Sequence, residues 1–496
     1  MKLRAALFTA IIMVAFGSPF AQNGNADEAL FEAAKAGSVE GIQAAIEAGA
    51  KVDARDSAGR IPLMHAAGFN KNPEVVKILL KAGASTKATN HNRRTIPMYA
   101  AQNPNLEIFK MLFSPKDINM RDKGGNTALH YAAECNENIE IFKILLASGA
   151  NVNARNNKNG TPLLYAAGSN PNAEVVKVLL AAGSDANVYV ETGETGITPT
   201  PLMTAARFNS NPEVLKALIK AGADIKARSK EGYAPLHYAA FSKNPEVAKA
   251  LIEAGAKVDE TNNYGTTPLM VAAGFNENVE MTQTFLDAGA DVNAKDKAGD
   301  SPLGTAVRMN NIEVTKTLLT AGADVNIRDN EGWSPVMQAV TWSSVNAEIT
   351  KALIKAGADL KARDRNGHTL LMEAAARSKS PEVVITLVKA GSKINETDPD
   401  GTTPLMLAAG FNENVEMTKA LLKLGAKINA KDSIGRTPLM YAARYSSNPK
   451  VIKALLSAGA SKNVRDKFGN HIVDHLEENE EISKDDDYWK VRDMLY

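Results

Sequence analysis

The sequence predicts an all-α solenoid of about fourteen helix–loop–helix units joined by β-hairpin-like loops. Three observations lead there. The string Thr-Pro-Leu returns along the chain at nearly constant spacing, an amphipathic helical stretch ending on glycine follows all copies but one, and a turn rich in Asp, Asn and Gly precedes the next. Self-similarity at such a period marks an array in which each unit buries its apolar face against its neighbours.

The string stands as Thr161-Pro162-Leu163, Thr200-Pro201-Leu202, Thr267-Pro268-Leu269, Thr403-Pro404-Leu405 and Thr437-Pro438-Leu439. Variants fill the gaps at Ile61-Pro62-Leu63, Thr127-Ala128-Leu129, Ala234-Pro235-Leu236, Ser301-Pro302-Leu303, Ser334-Pro335-Val336 and Thr369-Leu370-Leu371. With the irregular Thr95-Ile96-Pro97 there are twelve copies, and ten of their eleven spacings lie between 32 and 35 residues. The exception is 39 residues, from Thr161 to Thr200, where the loop 188–199 is lengthened.

Each position in the unit has a physical task. Thr or Ser caps the first helix by accepting from its orphan N–H groups. Proline in the first turn costs nothing, because its missing N–H would have no partner there. The small pairs Ala66-Ala67, Ala166-Ala167 and Ala408-Ala409 suit close helix approach, and an Asn- and Pro-rich loop such as 69–73 follows. The second helix, for example Glu74-Val75-Val76-Lys77-Ile78-Leu79-Leu80, is apolar at i, i+3 and i+4 and stops at Gly83, where positive φ is needed. A turn such as Asp296-Lys297-Ala298-Gly299 then supplies hairpin chemistry.

These features resemble the ankyrin repeat: Thr-Pro-Leu-His-x-Ala-Ala, then a second helix ending Ala-Gly-Ala-Asp-Val-Asn. The resemblance covers residues 28 to about 476. Two departures stand out. The position of the family histidine is His only at His130 and His237 and is mostly Met elsewhere (Met64, Met203, Met270, Met337, Met372, Met406, Met440), so apolar packing is expected to replace its hydrogen bonds. The Gly-His between the helices is absent, and the loop runs about one residue longer. The repeat 95–126 lacks the glycine stop and is expected to be a local weak point or bend. Gly274 to Thr282 recurs unchanged at Gly410 to Thr418, which points to duplication of a four-repeat block.

The expected organisation is a signal peptide at 1–21, an N-terminal capping repeat at 22–60, twelve repeats at 61–466, and a degenerate capping repeat with an acidic tail at 467–496. Lys2 and Arg4 precede an apolar run from Ala5 to Phe16 and a small-residue exit ending Ala21-Gln22, the pattern of a secretory signal. The run is short for a bilayer span, so no stable membrane insertion is expected after cleavage, and the protein is expected in the periplasm or outside the cell. Lys plus Arg number 57 against 56 Asp plus Glu, a balance with no global pull toward nucleic acid. The single cysteine, Cys135, precludes an intramolecular disulfide and reads as a small apolar residue near a helix end.

No catalytic residue, metal-ligand set or cofactor motif emerges. His471 and His475 share a helix face around Asp474 but lack a third ligand, and a capping role is expected for them. The aromatic column Phe69, Phe208, Phe275, Trp342, Phe411 and Tyr445 is expected to pack inside each unit. Aromatics at hairpin turns are the better interface candidates: Tyr189, Tyr233, Tyr264 and Trp333. The resemblance implies that hairpin tips and first helices form the concave, partner-gripping face, which adds Arg60, Arg94, Lys230, Asp300 and Arg436. The expected function is an exported scaffold that binds another protein. An exported effector or inhibitor of a host or rival protein is the first alternative, and an enzyme with a cryptic site the second.

Overall fold

The structure, a computed structural model, is described for residues 26–190, 199–341, 347–480, 482 and 486–495. The expected signal segment and Trp342 lie outside those residues. The described residues form 28 α-helices, from Ala26–Ala36 to Asp486–Leu495, and no named strand; the hairpin-like loops contribute two isolated β-bridges, Thr89 to Thr95 and Arg363 to Thr369. No helix among them is long and apolar enough to cross a membrane. The chain divides into two compact units, Met1–Ala256 and Lys257–Tyr496.

The expected local rules hold. In the repeat with helices Pro62–Phe69 and Pro73–Lys81, proline opens both helices, and Val75, Val76 and Leu79 are buried on the second. Gly83 terminates that helix at φ 92. The N-terminal helix Ala26–Ala36 buries Leu30, Phe31, Ala33 and Ala34. In the first unit, the irregular repeat has a second helix of only seven residues, Leu106–Leu112, followed by a 3-10 turn at Pro115–Asp117.

Hydrogen bonds between neighbouring repeats run through asparagine. After five first helices of the first unit, one buried Asn reaches back to the preceding repeat; Ser242 holds that position after helix Pro235–Ala239. Asn103 Nδ2 donates to Ala67 O (3.0 Å) and Asn70 O (2.6 Å), and Asn136 to Ala101 O (2.8 Å) and Asn103 O (2.9 Å). Asn170 and Asn209 repeat the pattern. The ladder therefore continues on both sides of the irregular repeat. A second Asn two residues on caps the next helix: Asn138 Oδ1 accepts from Glu140 N while its Nδ2 donates to Pro104 O (2.9 Å). Buried amides with both functions satisfied fix register between units, which explains the Asn-x-Asn loop that replaces Gly-His.

The second unit builds the same pairs with a less regular ladder. Asn412 Nδ2 donates to Ala375 O and Ser378 O (both 2.9 Å), and Asn479 to Ala443 O (2.8 Å) and Ser446 O (3.0 Å). They alternate along the chain with Ser378 and Ser446, whose hydroxyls donate locally to Ser380 O and Asn448 O.

The methionines correct one expectation. His130 Nδ1 accepts from Thr127 N (3.1 Å), so its Nε2–H donates to Gly160 O (3.1 Å). Methionine keeps the first of these bonds: the backbone N–H groups of Thr95, Thr267, Thr369 and Thr403 donate to the sulfurs of Met98 (3.4 Å), Met270 (3.5 Å), Met372 (3.4 Å) and Met406 (3.4 Å). A thioether is a weak acceptor but an acceptor, so packing alone does not replace the imidazole.

Candidate protein-binding face

The hairpin turns are built around one acidic or amide side chain. Asp56 Oδ1 accepts from Ala58 N (2.9 Å) and Arg60 N (2.8 Å), and its Oδ2 meets Arg60 Nε (2.7 Å) and His65 Nε2 (3.1 Å). Burial alone would raise this carboxyl, but those bonds outweigh it and hold the pKa at about 2. The residue nine positions on, within the first helix, recurs as the partner of the turn. Tyr99 OH bonds Asn90, Tyr131 OH donates to Asp122 (2.5 Å), Tyr165 OH bonds Asn156, and Gln338 donates to Asp329 (3.3 Å). Tyr441 and His475 do the same for Asp432 and Asp466. Burial, with Asp432 adding to it against the opposing pull of Thr402 and Arg436, pushes the Tyr441 phenol up to about 12.

This architecture sorts the candidate residues. Tyr264 stands at a turn, 57% exposed, and Tyr189 beside the lengthened loop is 47% exposed. Tyr233 is half-buried and packs edge-on against His237 at 5.4 Å, so it belongs partly to its own unit. Arg60 and Arg436 are tied to the turn carboxylates Asp56 and Asp432 at 2.7 and 2.8 Å. Arg94 lies between the rings of Tyr99 and Tyr131, 4.0 and 3.7 Å from their centroids, and burial lowers its pKa. Lys230 is exposed at its turn. Tyr189 and Tyr233 lie in the first unit, and Tyr264 and Trp333 in the second.

Asp300 and Trp333 do come together. They line a depression of about 550 Å³ in the second unit, with Arg308, Gln338, Thr341 and Arg377. Arg308 pairs with Asp300, and Gln338 approaches Asp300 at 3.5 Å. Thr341 and Arg377 also line the next depression, about 720 Å³, which reaches Phe411. Phe411 then borders a third, about 380 Å³, with Arg444 and Tyr445. The result is a groove along the first-helix face of the second unit, floored by alternating aromatic and guanidinium groups. Sequence reading missed Arg308, Gln338 and Arg377; only Gln338 carried a signal, its place nine residues beyond the turn residue Asp329.

The aromatic column is a correction. Phe69, Phe208, Phe275 and Phe411 are 65%, 68%, 62% and 54% exposed rather than packed within their units. Each is the last residue of its helix, and the asparagine after it takes the buried place: Asn70 is 5% exposed beside Phe69. Phe411 stacks on Tyr445 at 5.2 Å. Phe468, 73% exposed at the Asp466 turn, is a tip aromatic that sequence reading passed over.

The histidines at the C-terminus do not converge. His475 Nε2 meets Asp466 Oδ2 (3.1 Å), while His471 N donates to Asp474 Oδ2 (2.6 Å) at the start of its helix. The Cys135 thiol is exposed, and partial burial pushes its pKa up, away from a reactive thiolate.

Stacked helix pairs, turns tied to the helix behind them, and a groove on the first-helix face define a repeat scaffold of the kind that grips another protein. The family model for ankyrin repeats (3 copies) matches residues 5–90, 97–190, 189–262, 254–329, 303–398 and 371–466, and the chain belongs to the ankyrin-repeat family. It is similar to the human neurogenic locus notch homolog protein 2, 33% identical over 125 residues, which cover 25% of this chain and 5% of that protein. It is also similar to the Arabidopsis thaliana E3 ubiquitin-protein ligase KEG, 30% identical over 112 residues, covering 22% and 7%. Similarity to the Bos taurus mitochondrial disaggregase is 34% over 153 residues, covering 29% and 21%. The chain thus spans between 5% and 21% of the length of these relatives, and the likeness concerns the repeats.

Proposed function

We propose that this chain is a non-catalytic scaffold that binds a protein partner along the groove from Trp333 to Tyr445. Ankyrin repeats are protein–protein interaction scaffolds, and one observation points to this stretch: exposed or half-exposed Trp333, Phe411 and Tyr445 alternate with Arg308, Arg377 and Arg444 along continuous depressions. Trp, Tyr and Arg dominate the energetics of interfaces because they bury much area and still offer polar or π contacts. The helix ladder holds the groove preformed, so little ordering opposes association. The proposed compartment is the periplasm or the cell exterior, on the strength of the pattern at residues 1–21.

The test is capture by immobilised residues 22–496, with Trp333→Glu run alongside. A partner retained by the wild type and lost by the variant supports the reading. Equal retention by both places binding elsewhere and refutes this groove.

A further inference from the structure

Several repeats depart from the turn rule, Asn262 with Val271 and Asp296 with Thr305 among them, and two neighbouring exceptions meet. In the turn headed by Asp364, the residue nine positions on is Glu373, a carboxylate where other repeats place a donor such as Tyr131, Gln338 or Tyr441. In the turn headed by Asp398, that residue is Leu407, which has no donor. Three carboxylates therefore converge on one imidazole. His368 Nδ1 lies 2.9 Å from Glu373 Oε1 and 3.6 Å from Asp364 Oδ2, and its Nε2 lies 3.5 Å from Asp398 Oδ2. Glu373 is buried, its second oxygen held 3.0 Å from Arg377 Nε. One ligand atom each from Asp364, His368 and Glu373 lies within 4.8 Å of the others.

We propose that Asp364, His368 and Glu373 bind a divalent first-row metal ion, with zinc the best chemical match, and that Asp398 steadies the imidazole from the next repeat. A tetrahedral zinc at about 2.1 Å from nitrogen and oxygen ligands separates those ligands by roughly 3.4 Å. The spacings of 2.9 and 3.6 Å around His368 Nδ1 bracket that value, so an ion takes the place of the proton shared there. The surroundings match the outer shell of such sites. The ring nitrogen facing away from the ion points its N–H at a carboxylate, Asp398, and the ligating Glu373 is itself held by a cation, Arg377. His368 is about a quarter exposed, which leaves a fourth position open to water or to a group from a partner. A helical i, i+4 search misses the set because Asp364 and His368 belong to the turn and only Glu373 to helix Leu370–Arg377.

The experiment uses full-length chain stripped with EDTA, titrated with Zn²⁺ by calorimetry and with Co²⁺ followed by its visible absorption. Wild type is expected to take up one tight ion per chain with a Co²⁺ band of tetrahedral intensity. Glu373→Gln and His368→Gln are expected to lose it by tenfold or more in affinity, and Asp398→Asn to keep the stoichiometry with weaker binding. Glu373→Gln copies Gln338 of a neighbouring repeat and should fold; melting in EDTA checks this. The surface control His91→Gln should bind as wild type. If wild type binds Zn²⁺ no more tightly than Glu373→Gln, or binds none, the proposal fails and the cluster is a charge network only.

Discussion

The two units teach different lessons from one repeat. In the first unit the Asn ladder runs through Asn70, Asn103, Asn136, Asn170 and Asn209, and the phenols of Tyr99, Tyr131 and Tyr165 satisfy the turns in front of them. In the second unit serine takes the ladder position twice, at Ser378 and Ser446, against once in the first, at Ser242, and Glu373 and Leu407 replace the donors that the turns at Asp364 and Asp398 would use. Where the turn and ladder groups are paired inside the array, the face is closed to chemistry. Where pairing is incomplete, charges and aromatics remain for something else.

The largest effect should come from the ladder. Asn136→Ala leaves two buried carbonyls without donors and is expected to cost about 2–4 kcal/mol in urea unfolding, with faster amide exchange in helix Ala128–Cys135. Ser378→Ala removes only two long local bonds, to Ser380 O and from Ser380 N, and should cost about 1 kcal/mol or less. Equal costs would erase the distinction between the units.

For binding the order reverses. Trp333→Ala is expected to weaken partner affinity tenfold or more, a loss of about 1.4 kcal/mol at least. Tyr165→Phe, in the first unit, should leave affinity within about twofold by calorimetry.

A pH experiment sharpens the account of the histidine position. His130 must be neutral to accept from Thr127 N–H, and burial first, with Arg121 nearby, lowers its pKa. The unfolded chain binds its proton near pH 6.5 and the folded chain only below that. Stability from this site is therefore present above about pH 6.5 and lost as pH falls below it. His130→Met retains an acceptor of the kind seen at Met270 and does not titrate. Its melting temperature should fall less than wild type's between pH 7.5 and 5, with parallel falls counting against the assignment.

The smallest change is a gain. Arg93 occupies its turn at φ 60, where Gly59 and Gly125 stand at 73 and 80. Arg93→Gly should relieve left-handed strain and raise stability by about 0.5–1 kcal/mol in denaturant titration.

How far the sequence spoke depended on how local the chemistry was. Thr-Pro starts, glycine stops and turn Asp residues act within a few positions, so the helix pairs were legible at once. The Asn ladder links residues 33 to 42 apart, and reading the loop as merely Asn-rich concealed it. Recurrence misled at Phe69, since a helix's last residue can repeat without being buried. Asp300 and Trp333 were legible from turn position and residue type. Arg377 and Glu373 were not, because their meaning comes from what the preceding turn lacks.

The most direct test is hydrogen exchange on the captured complex, comparing free and bound chain. The groove account expects new protection in helices Pro302–Arg308, Pro335–Thr341 and Leu370–Arg377 and in the turn at Trp333, with little change in Ala128–Cys135 or Pro162–Ser169. Protection confined to the first unit, or to second helices such as Val415–Lys423, would contradict it.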